Sequence, residues 1–435
     1  MQNEQTLKEL SLNIVDVLKN RRNKMVRETT YFQYGCKLID LVTGGDKGVH
    51  GSPAGRIINI CGDKSAGKTF VCNEIIANAH WKYGDKFKWM YADCEHGYSF
   101  DTDRMYGFDI HTEKSDAPEN VEEAYCCIRK FAESLEDDEF GIYVLDSLDG
   151  LTSEEQDEIA DNRYKAYEKD EKLDKGSYQM GKAKYLSREF FPQLATVLEN
   201  KNILLIIISQ IRDNVGAFSG FDKYTRAGGK ALDFYCHMVF WLATAKKILA
   251  KNDGQEAQIG GTNVIKVTKG KVPRPYRKAF YTYYYDYGID NIASGVDYLF
   301  NIRTETGDIS QPAANACAWE IDDTKLRVEN KTVKKWLEDN KLYESYRKTL
   351  AAGERFKLDT ALAFVNSNPE IKEKFDEVFA KVMTRDSLIQ YIIDNNLEEE
   401  LDRRVEEKWE KFEDSIKTNR PGKYAKFYAN QPESK

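Results

Sequence analysis

Hydrophobic and polar positions alternate between two kinds of pattern from about residue 56 to residue 287. Short, nearly continuous apolar runs are separated by longer segments in which apolar residues recur every three or four positions. Such runs predict strands covered on both faces, and the longer spacing predicts helices that pack on them. The runs lie at 56–61, 88–93, 141–146, 203–209, 238–243, 264–268 and 280–285. The alternation predicts an α/β fold with a largely parallel, twisted sheet flanked by helices.

The pattern changes on both sides of this region, and the 435 residues exceed the usual size of a single core. We predict an N-terminal arm (1–34) that contains an amphipathic helix, which packs on its own subunit or docks on a neighbour. The core spans 35–300. The charged, periodic residues 301–418 predict a small, mainly helical C-terminal domain, and 419–435 predicts a flexible tail.

One segment inside the core interrupts the alternation. Residues 153–184 are rich in Glu, Asp, Lys and Tyr and poor in apolar side chains. This length and polarity predict an exposed insertion or a mobile loop. A helix is expected to follow at about 183–199, with a kink at Pro192.

Composition limits the possible classes of protein. The net charge of −8 means that any contact with nucleic acid requires a local basic patch. The eight cysteines are scattered, without a C-x-x-C motif, and are expected to be reduced. The sequence shows no signal segment and no run of membrane-spanning length. We therefore expect a protein with no membrane partner, located in the cytoplasm, or in the host cytoplasm if the source is viral.

The strongest chemical signal is the segment 62–69, which lies between the first apolar run and a predicted helix at 70–83. It has the spacing G-x-x-x-x-G-K-T of a phosphate-binding loop, a motif that requires a strand, a tight turn and a helix N-terminus. The glycines let backbone amides converge on phosphate oxygens, and the helix dipole adds positive charge. The predicted nucleoside triphosphate site consists of Gly62, Asp63, Lys64, Ser65, Ala66, Gly67, Lys68 and Thr69, with Lys68 on the β- and γ-phosphates and Thr69 on Mg²⁺.

Three polar residues follow predicted strands, where ligands bind in open α/β sheets. Asp146 is suited to hold the water shell of Mg²⁺. Glu95 can orient and deprotonate the water that attacks the γ-phosphate. Gln210 can sense the γ-phosphate and transmit its presence to the next loop, or it can simply cap its strand.

Two segments in the second half of the chain concentrate cations. Residues 212–229 combine cations with aromatic residues and four glycines, which is typical of a loop that binds single-stranded nucleic acid and also of a flexible lid. Residues 266–278 contain six cations and no carboxylate. This stretch faces polyphosphate, either nucleic acid or the nucleotide of a neighbouring subunit, or it forms a solvated hairpin.

Taken in order, these segments resemble the RecA-type recombinases, including their phage members, over about residues 29–289. The shorter matches are Gly55-Arg56-Ile57, Asp93-Cys94-Glu95-His96, Leu145-Asp146-Ser147-Leu148 and Ser209-Gln210-Ile211-Arg212. The most specific match is Ala227-Gly228-Gly229-Lys230-Ala231-Leu232-Asp233-Phe234-Tyr235. It resembles the stretch after the family's second DNA-binding loop, which hexameric replicative helicases lack. The resemblance implies a RecA-like core that uses ATP and Mg²⁺.

The resemblance also implies roles for individual residues. Glu95, Lys68 and Gln210 would be catalytic, with Gln210 as the family's allosteric glutamine. DNA-binding loops would lie at about 153–182 and 211–229, the second with contacts from Arg212, Lys223, Arg226, Gly228 and Gly229. Lys269 and Lys271 resemble a lysine pair that reaches the ATP of the adjacent subunit, and Phe234 resembles an interface phenylalanine. Ser99 and Thr102 depart from the family's aspartate and tyrosine around adenine.

The function that the resemblance implies is an ATP-dependent DNA recombinase. It would form helical filaments on single-stranded DNA, promote homologous pairing and strand exchange with duplex DNA, and hydrolyse ATP in a DNA-dependent manner. Recombination or replication accessory proteins are possible partners. One alternative is a recombination mediator or regulatory ATPase whose acidic insertion and C-terminal domain bind a partner. A hexameric helicase is the other.

Overall fold

A computed structural model of the chain describes most of its 435 residues. The described residues are 29–44, 48–111, 117–169, 179–199, 201–213, 224–226, 228–272, 276–319, 328–351, 353–379, 382–418, 420 and 423. The helix predicted in the N-terminal arm lies outside them, as does the predicted tail apart from residues 420 and 423.

The centre of the described chain is one mixed β-sheet. Nine strands, β3 to β11, form this sheet, while β1 pairs with β2 and β12 pairs with β13 in two small separate sheets. The strands of the described chain are β1 (Tyr31–Phe32), β2 (Ser52–Pro53), β3 (Arg56–Gly62), β4 (Phe87–Asp93), β5 (Phe140–Asp146), β6 (Ile203–Asp213), β7 (Tyr224–Arg226), β8 (Met238–Asn252), β9 (Gln255–Gly270), β10 (Lys278–Tyr284), β11 (Gly288–Asp290), β12 (Cys317–Ala318) and β13 (Val382–Met383). Five of them run parallel in the order β4, β5, β6, β3, β8, and β9, β10 and β11 continue the sheet in antiparallel fashion. The predicted α/β class is confirmed, and each of the seven predicted strands is present.

The strands β8 and β9 are much longer than the apolar runs that predict them. They form one antiparallel hairpin that turns at Asp253 and Gly254, both of which have positive φ angles. Beyond Leu242 the strand β8 has no buried residue. A ribbon that is solvated on both faces carries no alternation of apolar and polar positions, so hydrophobicity does not reveal it.

Helices cover both faces of the sheet. They are α1 (Lys37–Gly44), α2 (Lys68–Tyr83), α3 (Thr102–Tyr106), α4 (Val121–Ser134), α5 (Glu154–Glu168), α6 (Gln179–Tyr185), α7 (Phe191–Glu199), α8 (Gly229–Tyr235), α9 (Asn291–Leu299), α10 (Gln311–Ala314), α11 (Asn330–Asp339), α12 (Tyr343–Arg347), α13 (Leu358–Asn366), α14 (Pro369–Val378), α15 (Arg385–Asp394) and α16 (Glu398–Ser415). One buried apolar cluster joins the sheet to α1, α2, α9 and α16, and a second joins it to α4, α7 and α8.

The described parts of the acidic insertion, 153–169 and 179–184, are largely helical, so the segment 154–168 is an exposed helix and not the mobile loop that was the other expectation. The helix α5 begins after Ser153 and has three carboxylates in its first turn, where they are stabilised by the helix dipole. None of its residues is buried. The helix is missed because an exposed helix has no apolar stripe, which is the signal that predicts helices.

The helix predicted at 183–199 is interrupted rather than simply kinked. One π-helical turn, Leu186–Phe190, separates α6 from α7, and the Phe191 amide donates to the Leu186 carbonyl. Pro192 lacks the amide hydrogen that a regular helix would donate to the carbonyl of Arg188, so the turn widens just before it.

The predicted C-terminal domain has two parts. A separate apolar cluster is formed between residues 328 and 379, with Trp336, Phe375 and Phe379 packed edge-to-face or stacked. By contrast, α15 and α16 bury Leu388, Ile392, Leu401, Val405 and Trp409 in the main cluster. The last two helices therefore complete the core of the sheet. Among the described residues, no helix is both long enough and apolar enough to cross a membrane.

Candidate nucleotide site and the residues linked to it

The phosphate loop and the predicted polar residues lie along one edge of the sheet because the parallel strands end there together. Gly62 at the end of β3 is paired with Gln210 in β6. Asp93 at the end of β4 is paired with Asp146 at the end of β5. The carboxyl edge of the parallel strands therefore gathers the phosphate loop and the predicted polar residues, which is the usual ligand position in such sheets.

The segment 62–69 forms a tight turn between β3 and α2. Lys68 folds back over it, and its Nζ donates to the carbonyl oxygens of Gly62 at 3.1 Å and of Asp63 at 2.9 Å. Burial lowers the pKa of Lys68. Gly67 caps α2 with a φ of 78°, and a Cβ at this position would lie 2.6 Å from Nδ2 of Asn263. The turn therefore requires a glycine both for its backbone conformation and for the close approach of β9.

A hydroxyl and a carboxylate stand next to this loop. Thr69 Oγ1 donates to Asp146 Oδ2 at 3.4 Å, and the hydroxyl of Tyr91 donates to the same oxygen at 2.5 Å. Burial raises the pKa of Asp146 to about 6. Hydroxyl and carboxylate oxygens are ligands that Mg²⁺ prefers. A bound cation would also offset the cost of burying the negative charge of the carboxylate. Thr69 and Asp146 therefore fit the predicted Mg²⁺.

Glu95 and Gln210, which are 115 residues apart, are joined directly. Nε2 of Gln210 donates to Oε1 of Glu95 at 2.8 Å. The hydroxyl of Ser147 donates to the same oxygen, and the backbone amide of Gln210 donates to Asp149 Oδ2 at 3.0 Å. The carboxylate of Glu95 is thus oriented by a residue of β6 and by the residue that follows Asp146.

An aromatic wall borders the phosphate loop and encloses a cavity of about 220 Å³. It consists of Phe100, Tyr283 and Tyr285, and the ring of Phe70 lies 5.0 Å from that of Phe100 and 5.2 Å from that of Tyr283. Tyr285 is 45% exposed. Thr102, which the resemblance places at a position of base contact, is buried, and its hydroxyl accepts from the Ile110 amide at 2.9 Å. An adenine contact by the Thr102 side chain therefore does not fit this structure.

Lys269 and Lys271 lie away from the phosphate loop of their own chain. Lys269 is paired with Val239, which is paired with Asn59, three residues before Gly62. The separation along the strand is therefore about 10 Å. Nζ of Lys269 donates to the Cys236 carbonyl at 3.0 Å, further still from the loop edge.

The same surface carries the predicted interface phenylalanine. Phe234 in α8 is 69% exposed. Nζ of Lys269 donates to its carbonyl at 3.4 Å, and Nζ of Lys271 lies 5.9 Å from the centre of its ring. One exposed aromatic ring and two cations thus form a single patch, which we call the lysine–phenylalanine patch.

Comparison with known proteins decides the family. The RecA N-terminal domain family matches this chain over residues 15–290. The chain belongs to the RecA family. Its relatives include Protein RecA of Chloroherpeton thalassium (28% identical over 309 residues, 70% of this chain and 77% of that protein) and of Leifsonia xyli (30% over 251 residues, 58% and 63%). Protein RecA of Nitratiruptor sp. is 25% identical over 378 residues, which is 87% of this chain and 92% of that protein.

Among solved structures, that of the RadB recombinase is matched over 59% of this chain and 98% of the RadB chain, with a TM-score of 0.38 and 18% identity. The assignment to the RecA family therefore depends on the sequence match over residues 15–290.

The residues predicted to bind DNA within 211–229 have different environments. Lys223 and the side chain of Arg212 lie outside the described part of this RecA-family chain. Gly228 caps the N-terminus of α8 with a φ of 84°, and a Cβ there would lie 2.7 Å from Cβ of Leu232. Gly229 also has a positive φ. The two glycines thus form the turn into α8, which accounts for their presence without a DNA contact.

Arg226, one of the predicted DNA contacts, is paired within its own chain. Its side chain is only 9% exposed and is paired with Asp233. The guanidinium also donates to Oδ1 of Asn59 at 2.6 Å. A cation that is buried and already paired within the RecA core is not positioned to neutralise a phosphate. Sequence composition could not show this, because cations next to aromatic residues have the same pattern whether they point inward or outward.

Some residues of the site were assigned no role from the sequence. Ser147 holds Glu95, Tyr91 holds Asp146, and Phe100 and Tyr285 line the cavity. Tyr285 lies in a tyrosine-rich run in which Tyr281 and Tyr283 are buried and Tyr284 is partly buried. Ser147 and Tyr285 directly follow strands, and that position is a sequence signal that could have identified them. Tyr91 lies within β4 and Phe100 lies in the segment after it, where no such signal marks them.

Proposed function

We propose that this protein is an ATP-dependent DNA recombinase that assembles as a helical filament on single-stranded DNA and promotes pairing and strand exchange with homologous duplex DNA. The observation that carries the proposal is the hydrogen bond between Gln210 and Glu95. It connects a carboxylate beside the phosphate loop with the strand that leads into the segment 211–229. A connection of this kind lets nucleotide state and DNA binding influence each other.

ATP and Mg²⁺ together supply the triphosphate and the charge neutralisation that hydrolysis requires. The chain's own residues would bind and orient them. The loop amides and Lys68 would hold the phosphates, and Thr69 and Asp146 would hold the cation. Both hydrogen bonds to Glu95 go to Oε1, so we assign the acceptance of the proton from water to Oε2.

We assign the base of the nucleotide to the aromatic wall. Phe100 and the half-exposed Tyr285 offer ring faces beside the phosphate loop. Stacking on such rings holds a base without requiring a particular hydrogen-bonding partner. It would replace the contacts that the family makes at the positions of Ser99 and Thr102.

We assign the lysine–phenylalanine patch to the neighbouring subunit. The two lysines point away from their own phosphate loop, and an exposed aromatic ring beside paired cations is typical of a protein interface. In a head-to-tail assembly, each patch would face the nucleotide of the next subunit. Hydrolysis would then require assembly. We also propose that the protein acts in the cytoplasm, where DNA, ATP and any accessory proteins meet.

Three measurements test the proposal: electron microscopy of the protein with single-stranded DNA and a non-hydrolysable ATP analogue, ATP hydrolysis with and without single-stranded DNA, and DNA titrations at several salt concentrations. We expect continuous helical filaments, DNA-stimulated ATP hydrolysis, and a DNA affinity that falls with log salt at a slope of about −0.7 per phosphate contact. Closed rings with unwinding activity would indicate a helicase. DNA-stimulated hydrolysis without filaments or strand exchange would indicate a mediator or regulatory ATPase.

A further inference from the structure

Arg226 lies where three elements of the site meet. From Nη1 it donates to Oδ1 of Asn59 at 2.6 Å, and from Nη2 it donates to the carboxylate of Asp233. Asn59 is on β3, which leads into the phosphate loop, and Asp233 is on α8, directly before Phe234. Arg226 itself ends β7. A single guanidinium therefore connects the strand of the phosphate loop, the segment 211–229 and the lysine–phenylalanine patch.

The same contacts enclose Gln210 on both sides along its strand. The amide of Asn59 donates from Nδ2 to the hydroxyl of Ser209 at 2.9 Å, and Ser209 directly precedes Gln210. Arg226 is paired in the sheet with Ile211, the residue after Gln210. A shift of β6 at Gln210 must therefore displace Asn59, Arg226, or both.

Burial makes this connection stiff. Asn59 is fully buried, and its Nδ2 also donates to the carbonyl of Ile207 at 2.8 Å. Nη1 of Arg226 additionally lies 3.5 Å from Sγ of Cys61. Because the guanidinium is planar and rigid, it holds its partners in a fixed relative geometry. Water cannot readily replace the buried Asn59, and the ion pair ties Arg226 to the more exposed Asp233, so a movement of Arg226 is passed to both partners.

We propose that Arg226 is a positioning residue that couples the segment 211–229 to α8. When that segment engages DNA, the guanidinium transmits the change to Asp233 and so to the lysine–phenylalanine patch, which completes the nucleotide site of the next subunit. The inference deepens the proposed function and rests on it. It assigns to Arg226 a role in stimulation of hydrolysis and none in direct contact with DNA.

The test measures ATP hydrolysis by the full-length protein as a function of single-stranded DNA concentration for wild type and Arg226→Gln. We expect the maximal DNA-stimulated rate to fall at least tenfold. The DNA concentration at half-maximal stimulation and the salt dependence of DNA binding should stay within twofold of wild type. A direct phosphate contact predicts the reverse, because losing one contact changes DNA affinity and reduces the salt slope by about 0.7.

Two further variants keep the result interpretable. Asp233→Asn removes the partly exposed partner and should lower the maximal rate in the same direction even if Arg226→Gln does not fold. The control is Arg129→Gln on the outer face of α4, where Arg129 forms an exposed pair with Glu133 at 2.7 Å; it should behave as wild type.

The outcomes are distinct. If DNA stimulates wild type and both coupling variants equally, Arg226 has no coupling role. If Arg226→Gln instead shifts the half-saturating DNA concentration, Arg226 contacts DNA and the inference is wrong. If wild type forms no filaments and DNA does not stimulate its hydrolysis, the proposed function itself fails, and the inference fails with it.

Discussion

The side-chain amide of Gln210 donates to the carboxylate of Glu95 at 2.8 Å across the carboxyl edge of the sheet. Glu95 follows β4 and Gln210 lies within β6, and β5 separates the two strands. The hydrogen bond therefore crosses over the end of β5, where Asp146 and Ser147 lie. Gln210, the proposed sensor of DNA binding, therefore contacts Glu95, the proposed general base. Sensing and proton transfer depend on the same hydrogen bond.

The first prediction concerns this contact. Gln210→Ala removes the donor, whereas Gln210→Glu places a second carboxylate against Glu95. We expect both changes to lower DNA-stimulated hydrolysis at least tenfold, because a hydrogen bond to a charged group contributes about 1.5–3 kcal/mol and this one orients the carboxylate. Binding of a fluorescent ATP analogue without DNA should remain unchanged. Steady-state hydrolysis with and without DNA, together with analogue titration, checks both expectations; equal stimulation of wild type and Gln210→Ala would contradict them.

The second prediction concerns the lysine–phenylalanine patch. Lys68→Ala and the double change Lys269→Ala/Lys271→Ala should each abolish hydrolysis when present alone. Mixed in equal amounts, they should regain about a quarter of the wild-type rate, because one in four random head-to-tail contacts joins an intact phosphate loop to an intact patch. Rates measured across mixing ratios check this. A mixture as inactive as its components would show that the lysines act within their own subunit.

How far the sequence alone predicts this site depends on the residue considered. Lys68, Thr69, Glu95, Asp146 and Gln210 are predictable because strand ends meet at one edge, and the structure gathers them there. Their contacts are not predictable in the same way. The bond between Gln210 and Glu95 depends on the order of β4, β5 and β6 in the sheet, and strand order is a property of the whole topology.

Other features escape prediction because hydrophobicity does not encode them. The exposed part of the β8–β9 hairpin and the helix α5 bury no apolar stripe. Arg226 is cationic in a cation-rich segment, and only its packing against Asn59 and Asp233 shows that it points inward. Exposed secondary structure and buried charge are both exceptions to the rule that apolar side chains are inside and charged ones outside.

The third prediction concerns pH. Burial raises the pKa of Asp146 to about 6, above its ordinary value of 3.8. Between these two values the folded protein binds more protons than the unfolded chain, so this group makes the free energy of unfolding decrease as pH rises through that window. The decrease is about 2–3 kcal/mol without a cation. Asp146→Asn should remove it, and urea unfolding of both proteins from pH 4 to pH 7 measures the difference.

For cation binding, we expect the pH dependence of Asp146 to have the opposite sign, with affinity increasing as pH rises. A proton and Mg²⁺ compete for Asp146, so the affinity of wild type for Mg²⁺-ATP should fall as pH falls below about 6. In Asp146→Asn the affinity should be lower and should lack this component. Isothermal titration at pH 5.5 and pH 7.5 compares the two; a wild-type affinity that does not change with pH would contradict a role for Asp146 in holding the cation.

The fourth prediction concerns Glu74, which faces the aromatic wall from α2. Its Oε1 accepts from the Ile289 amide at 2.6 Å and from the Tyr106 hydroxyl at 2.9 Å. Ile289 lies in the same segment as Tyr285, a few residues further along the chain, and Tyr106 is related to Phe100 in the same way. One carboxyl group therefore holds both segments of the wall against α2, the helix that follows the phosphate loop. Burial raises the pKa of Glu74 to about 7, and an amide should therefore replace it well.

We expect Glu74→Gln to retain both hydrogen bonds through its amide oxygen and to bind ATP like wild type. Glu74→Ala leaves two donors without an acceptor, which costs about 2–4 kcal/mol of stability and loosens the wall. ATP binding should then weaken about tenfold, which corresponds to about 1.4 kcal/mol. Binding of inorganic tripolyphosphate should be unaffected, because that ligand has no base to stack. If both ligands weakened equally in Glu74→Ala, Glu74 would support the phosphate loop and not the base.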